Sequence, residues 1–253
     1  MLLHTLLGIG ILLAILATFS RTKHTFVKTV YIPAYTSTHA DLYDLTVYDH
    51  TKNEAEIQYI SPLLTADSHV LDVGSGTGHH VHALQKRTQV VGMDLSSDMI
   101  AVAKKRYPHT YMQGDALNTS TFSAETFTHL TCLYFTVYYM KDKRRFFQNA
   151  YHWLTPGGYL CLHLSEQWIY GPVSFSELKY SSKHTSRVHR ECITFQGKQS
   201  CFEHKIYMES VETIVDMAIQ SGFTLSSVYA YAKPYKNQRL YVFIKSRNGS
   251  NLG

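Results

Sequence analysis

Cysteine is scarce in this chain, with four among 253 residues. That is too few for a disulfide framework and points to a reducing compartment. Charge is scarce as well: charged residues make up 17% and hydrophobic residues 45%. Such a balance excludes disorder as the dominant state. The formal net charge is +5, but Lys and Arg are spread out, and the densest cluster, Lys141 to Arg145, contains Asp142. No basic stripe exists for a nucleic-acid partner, so none is expected. Several catalytic signatures are missing. There is no Gly-x-Ser-x-Gly elbow, no Cys-x-x-Cys, no His-Glu-x-x-His and no Gly-Lys-Ser/Thr after a glycine loop. Their absence argues against an elbow hydrolase, the common zinc sites and a phosphate-clamping loop. What the chain does have is 15 histidines and 19 tyrosines.

Met1 to Ser20 carries no charged side chain, and Arg21, Lys23 and Lys28 follow it. Twenty helical residues at about 1.5 Å each span about 30 Å, the thickness of a hydrocarbon core. No Lys or Arg precedes the apolar run, as a cleaved secretory signal would require, and small-residue cleavage pairs are weak. The expectation is an uncleaved single-pass anchor over 1–20 and a linker over 21–40. The positive-inside rule puts the remainder on the cytoplasmic side.

Residues 69–78 read His-Val-Leu-Asp-Val-Gly-Ser-Gly-Thr-Gly. Val70, Leu71 and Val73 have the pattern of a buried parallel strand. Gly74, Gly76 and Gly78 then form a turn where a ligand approaches the backbone and positive φ is cheap. A helical stretch follows. A dinucleotide fingerprint would need glycine where His79 stands. A second strand, Gln89 to Asp94, ends in an acid suited to the two hydroxyls of a ribose. Ser96 is a candidate N-cap, and Met99, Ile100, Val102 and Ala103 give the next helix its apolar side. A third strand, Thr110 to Asp115, ends in another acid. A fourth spans Thr128 to Phe135, a helix 142–153, and Leu154 to Gly158 forms a sharp turn into a strand over Tyr159–Leu164. Alternating strands and helices imply an α/β, doubly wound parallel sheet with ligands at the carboxyl ends of its strands. Asp72, Asp94 and Asp115 lie at or near three such ends.

A helix is expected over 53–64, with Ile57, Ile60 and Leu64 on one side. Residues 165–208 form an insertion, with a β-hairpin of 191–195 and 201–207. Its stretch 167–189 has no clear period and reads as a candidate lid. Cys192 and Cys201 are placed across that hairpin as free thiols. A helix over 210–221 and strands over 223–231 and 238–245 follow, then a loose tail over 247–253. His79, His80 and His82 invite a metal reading, but zinc needs a further ligand and none accompanies them. They are taken as histidines at a helix start.

The ordered motifs VLDVGSGTG, VVGMDLSSDMIAVAKKR, QGDA and WLTPGGYLCLHL resemble those of the class I S-adenosylmethionine-dependent methyltransferases. Over about residues 41–246 the chain is most similar in flavour to the small-molecule enzymes of the glycine/sarcosine and quinone-biosynthesis kind. The resemblance implies a Rossmann-like, mostly parallel seven-stranded sheet with an antiparallel edge hairpin, and a β-hairpin insertion after the fifth strand that covers the active site. It implies S-adenosyl-L-methionine as cofactor. The methionine-moiety loop maps on Asp72, Gly74, Ser75, Gly76 and Gly78, and the ribose acid on Asp94. Adenine contacts map on Leu95, Met99, Asp115 and Ala116, with Leu133 also in the cofactor set. Tyr43 and Tyr48 are candidates for the cap over cofactor and substrate. One departure is Thr128, where the family often has an aspartate. Tyr138 and His163 are candidates for a base, should the acceptor carry a proton. The implied activity is methyl transfer to a small-molecule or lipid-like acceptor at a membrane surface. The alternatives are a protein or peptide methyltransferase, a catalytically silent tethered scaffold, and a dehydrogenase.

Overall fold

The structure is a computed structural model that describes residues 30–33, 40, 43, 44, 48–166, 178–185, 188–195, 198–232 and 235–246. The anchor expected over 1–20, most of the linker and the tail over 247–253 lie outside the described residues. Among the described residues, no helix is long and apolar enough to cross a membrane.

After strand β1 (Val30–Pro33), helix α1 covers His50–Ile60. Asp49 starts it, its Oδ1 accepting from Lys52 N at 2.9 Å, a standard N-cap contact. The buried side of α1 is Lys52, Asn53, Glu56 and Ile60. The expected apolar side holds: Ile60 is in the core, and Ile57 and Leu64, half-buried, pack against the same cluster, but polar residues are buried beside it. The physical reason is that long-range partners, described below, satisfy the polar groups on the inward side.

The central sheet uses β2 (His69–Val73), β3 (Gln89–Asp94), β4 (Thr110–Gln113), β5 (Phe127–Cys132), β6 (Leu154–Ser165), and two strands near the carboxyl end. Helix α2 (His79–Gln85) joins β2 to β3, and α3 (Ser97–Arg106) joins β3 to β4. A short helix α4 (Thr136–Tyr139) and then α5 (Lys143–Trp153) join β5 to β6. Strands β2 to β6 pair in parallel, in the spatial order β6-β5-β2-β3-β4. The strand order reverses at β2, so the crevice at its carboxyl end is where a ligand fits such a sheet.

Strand alternation distributes the core. Leu71 packs with Met93, Phe127, Leu130 and the α5 residues Phe146, Phe147 and Trp153. Its neighbour Val70 packs on the other face with Val81, Leu84, Val90 and Ile100. Thr128 takes a structural role where the family has an acid: its hydroxyl accepts from His69 N at 2.8 Å and ties β5 to β2. The turn expected at 154–158 is absorbed into β6, whose pairing with β5 shifts between Phe127↔Leu154 and His129↔Tyr159. A Cβ on Gly158 would lie 2.8 Å from Thr128 O, so close strand approach requires glycine there.

The insertion departs from the expected hairpin. It holds three antiparallel strands, β7 (Leu178–Thr185), β8 (Val188–Phe195) and β9 (Lys198–Tyr207). They form a separate four-stranded sheet in the order β1-β9-β8-β7. Part of the stretch read as a lid is thus strand β7; residues 167–177 lie outside the described residues. Polar side chains at successive positions of Lys179–Thr185 hide the period-two signal of a strand. The register sets Cys192 opposite Glu203 and Cys201 opposite Thr194, so the two cysteines are offset by two positions rather than directly facing.

Helix α6 (Val211–Gln220) leads into β10 (Phe223–Ala230) and β11 (Gln238–Lys245). These complete the seven-stranded sheet as the expected antiparallel edge, with β11 antiparallel to β6.

Candidate cofactor and acceptor site

The turn after β2 is built on left-handed glycines. Gly74 has φ +70°, Gly76 +53° and Gly78 +87°. A Cβ on Gly74 would run into the Thr136 side chain, and one on Gly78 into the Tyr111 hydroxyl. The loop is fastened to β3 by Gly74 N and Ser75 N, which donate to Met93 O at 2.7 and 3.0 Å. At the tip of β3, Asp94 Oδ2 accepts from Gly76 N and Oδ1 from Ser96 N, each at 2.9 Å. Burial raises the Asp94 carboxyl above its usual range, and the N–H groups of Ser96, Gly76 and Leu95 oppose that shift. Each carboxylate oxygen keeps acceptor capacity for a further donor, such as a ribose hydroxyl.

Two cavities share Tyr43, Gly74, Gly76 and Tyr134. The larger, about 630 Å³, runs along the ends of β3 and β4 and falls within the range of small-molecule sites. It collects Asp94, Leu95, Met99, Asp115 and Ala116 from two separate stretches of chain. Leu95 is 68% exposed at its rim, while Met99 is fully buried. Leu95 and Met99 give this end of the lining apolar surface, a slot whose chemistry suits a planar ring. Asp115 accepts from Leu117 N at 2.8 Å and so shapes the loop that closes the slot.

The smaller cavity, about 30 Å³, is lined by Asp72, Ser75, Leu133, Tyr134, Tyr48 and His80 besides the shared residues. Asp72 Oδ1 accepts from Thr131 Oγ1 at 2.6 Å, while Oδ2 is buried with no hydrogen-bond partner. Burial pushes the Asp72 carboxyl up to about 6, against the opposing pull of His80 and Thr131. An orphaned buried carboxylate oxygen beside a glycine loop fits a cationic group, as the ammonium of S-adenosylmethionine would supply.

Gly78 is not part of either lining. It stands at the N-cap of α2, against Tyr111 and Ala103. Tyr43 lines both cavities, and Tyr48 stacks on His79 with ring centroids 3.7 Å apart.

Both candidate bases stand away from the cavities. Tyr138 is fully buried, its hydroxyl donating to Ser165 O at 3.1 Å and accepting from Ser165 N at 3.0 Å. It pins α4 to the end of β6. Its neighbours Thr136 and Tyr139 line the larger cavity instead. His163 is also fully buried, and its Nδ1 accepts from Phe135 N at 3.2 Å. Burial, then the nearby Lys52 cation, push its pKa well below the usual histidine range. His163 is therefore a neutral acceptor that holds the loop after β5. Both follow the carboxyl ends of strands in sequence, but His163 on β6 and Tyr138 on α4 are packed into the core.

The histidines at the start of α2 have separate partners. His79 Nε2 meets Asp44 at 2.9 Å, His80 Nε2 meets Glu56 at 2.7 Å, and His82 Nδ1 meets His109 at 3.0 Å. Among the described residues no three-ligand metal group is present.

Tyr134, which lines both cavities, and two residues packed behind it had no sequence signal. Tyr134 and Phe135 have φ of +47° and +67°, a strained pair of about 1–3 kcal/mol each that turns the chain sharply at the end of β5. Lys52, 3% exposed, places its ammonium 4.3 Å from the Tyr134 ring centroid and 4.9 Å from that of Phe135. Burial lowers its pKa to about 8.

Comparison with known proteins supports the same region. Residues 70–158 match the family model described as a methyltransferase domain. A dTDP-4-amino-2,3,4,6-tetradeoxy-D-glucose N,N-dimethyltransferase of Saccharopolyspora spinosa is 32% identical over 149 residues, covering 55% of this chain and 58% of the relative. A ubiquinone biosynthesis O-methyltransferase of Coxiella burnetii is 32% identical over 117 residues, covering 44% and 50%. The chain thus spans about half the length of these curated relatives. Among solved structures, an S-adenosylmethionine-dependent methyltransferase from Clostridium acetobutylicum superposes with a TM-score of 0.66 at 16% identity, covering 83% of this chain and 98% of that one. An amino pentose methyltransferase from Micromonospora echinaspora, with S-adenosylmethionine bound, gives 0.61 at 20% identity, covering 84% and 98%. The chain matches the methyltransferase domain family across residues 70–158 and has the fold of the class I S-adenosylmethionine-dependent methyltransferases.

Proposed function

We propose that this chain transfers a methyl group from S-adenosylmethionine to an amine or hydroxyl of a small-molecule acceptor. The observation that carries the reading is the glycine loop held between two acids, Asp94 bonded to Gly76 N on one side and the unpaired Asp72 oxygen on the other. Asp94 would hold the ribose hydroxyls, Leu95 and Met99 the adenine ring, and Asp72 the ammonium. When bound, the cofactor supplies an electrophilic methyl on a sulfonium. The chain's own part is alignment and exclusion of water, because an in-line displacement depends first on geometry. Thr136, Tyr139, Met140 and Tyr207 extend the larger cavity beyond the nucleoside slot. Their hydroxyls and apolar groups would orient an acceptor there. No residue is required as a base unless the accepting atom carries a proton at the working pH. The names of the relatives, an amino-sugar N,N-dimethyltransferase and a quinone-pathway O-methyltransferase, support a small-molecule acceptor.

The uncharged stretch 1–20 supports a second, separable part of the proposal. It would tether the catalytic part to the cytoplasmic face of a membrane, where a lipid-like acceptor is accessible. Deleting residues 1–20 should release the chain into the soluble fraction, and persistent attachment would remove that tether from the account.

The activity is tested by incubating the full chain with methyl-labelled cofactor and metabolite or lipid extracts. Label in the small-molecule or lipid fraction is the expected result. Label in protein would favour the protein or peptide methyltransferase. Donor binding with no label in any extract would favour a silent scaffold, and tighter binding of a nicotinamide dinucleotide would favour a dehydrogenase.

A further inference from the structure

Tyr43 and Asp44 precede α1 and lie against the glycine loop. Tyr43 lines both cavities, and a carbon of its ring is 3.8 Å from where a Cβ on Gly76 would stand. The ring therefore covers the middle of the loop. The next residue is tied down. The Asp44 carboxylate accepts from Thr77 Oγ1 at 2.6 Å and from His79 Nε2 at 2.9 Å, and it pairs with Arg106 at the end of α3. Burial by itself would raise this carboxyl; the hydrogen bonds from His79 and Thr77 and the charge of Arg106 hold it below its usual range. Tyr48 stacks on the face of the same imidazole, with ring centroids 3.7 Å apart. His79 stands where a dinucleotide fingerprint would need glycine. Here it is the post on which Asp44 and Tyr48 are both held, one at its edge and one on its face.

Little space is left under Tyr43. The cavity of about 30 Å³ beside Gly74 and Ser75 has room for about one water molecule. A donor lying along the glycine loop needs several times that volume, so part of the wall has to move before one enters. The loop itself is held by backbone bonds from Gly74 N and Ser75 N to Met93 O. Tyr134, on the opposite wall, donates its hydroxyl to Asp49 O at 2.7 Å and packs under the Lys52 ammonium. The Asp44 contacts are of another kind. They are made by side chains that solvent reaches, with Asp44 19%, His79 16% and Arg106 34% exposed. Such contacts are screened and open more readily than a strand ladder.

We infer that Asp44 is a positioning residue for the donor: its carboxylate latches Tyr43 over the glycine loop, and release of that latch admits the donor and lets the spent cofactor out. This rests on the reading of the loop as an S-adenosylmethionine site. Every partner of the latch is a protein group, so Asp44 acts on exchange without touching the ligand. Association is slowed to the fraction of molecules in which the latch is open, and dissociation waits for the same opening. Removing the latch therefore raises both rates, and the dissociation constant moves less than either.

The test is stopped-flow mixing of the full chain with S-adenosylhomocysteine, paired with amide hydrogen exchange on the chain alone. Asp44→Ala should raise the association and dissociation rates by about 10-fold each, the weight of one lost charge-assisted hydrogen bond. The dissociation constant should change by a smaller factor. Exchange at the Tyr43 and Asp44 amides should quicken to a similar degree, while the amides of β2 keep their rates. Arg106→Met removes one partner at an exposed position outside both cavity linings. It should raise both rates by a smaller factor, and it serves if the alanine variant unfolds. Added to Asp44→Ala, it should change nothing further, because its partner is already gone. Unchanged rates in the folded variants overturn the inference. So does a rise in dissociation alone, matched by the dissociation constant, which would make Asp44 a holder of the bound ligand and not a latch. Failure of the wild type to bind S-adenosylhomocysteine would instead overturn the cofactor reading. Hydrogen exchange then decides the latch separately, and unchanged exchange at Tyr43 and Asp44 in Asp44→Ala would overturn it.

Discussion

Asp94 Oδ2 and the backbone N–H of Gly76 are 2.9 Å apart, so the acid at the end of β3 holds the middle of the glycine loop that follows β2. One carboxylate both shapes the loop and keeps lone pairs for a ligand. Removing it should affect binding more than folding. Asp94→Ala is expected to weaken cofactor binding by about 1–3 kcal/mol, the worth of lost charge-assisted hydrogen bonds. Isothermal titration with S-adenosylhomocysteine measures this, and an unchanged dissociation constant would contradict the ribose assignment.

Asp72 sets stability against binding. Its carboxyl titrates at about 6 in the folded chain, against 3.8 as the ordinary value, chiefly because it is buried. Between those values the folded state binds more protons than the unfolded one, so stability falls as pH rises through this window. Above about pH 6 the cost is complete, on the order of 3 kcal/mol. Asp72→Asn should therefore raise the ligand-free stability at pH 7 by about 1–3 kcal/mol. The gain should vanish below about pH 4, where both states carry the proton. The same change should weaken cofactor binding. Denaturant melts at pH 4 and pH 7 read the first effect; a variant less stable than wild type at pH 7 would refute it.

Tyr138 is a structural pin. Tyr138→Phe removes a hydroxyl bonded to both Ser165 N and Ser165 O, and the loss should cost about 1–3 kcal/mol of stability. Turnover per folded molecule should stay within about 2-fold. A loss of about 100-fold in kcat with the melting temperature unchanged would return Tyr138 to the chemistry.

Gly74 and Thr136 are coupled by contact. Alanine at Gly74 meets both a left-handed φ of +70° and the Thr136 side chain. Gly74→Ala should destabilise the chain by at least about 1–2 kcal/mol from the backbone alone. Adding Thr136→Ala should recover the steric part, which a double-mutant cycle in denaturant would detect. Strict additivity of the two changes would mean that the loop relaxes away from Thr136.

Much of the site was legible because its signals are local. Asp72 to Gly78 is one continuous strand end and turn, and Asp94 closes β3, whereas β4 stops at Gln113, so that Asp115, the end expected for it, lies in the loop two residues beyond. Ser96 reads as a cap because capping is a three-residue interaction, and Ser96 Oγ does accept from Met99 N at 3.2 Å. The insertion was read less well. Polar residues over Lys179–Thr185 carry no alternation, so a strand there is set by pairing with Val188–Phe195 rather than by its own sequence.

The sequence by itself determined the α/β order, the glycine turn and the acids at the strand tips, since each depends on neighbours a few residues away. Only the tertiary structure decided that Tyr138 and His163 face the core, and that α1 buries Lys52, Asn53 and Glu56. A buried charge is tolerable only where distant groups answer it. Glu56 is answered by His80 and by Tyr231, 175 residues further on, and no local pattern encodes a partner that the folded chain alone brings within reach.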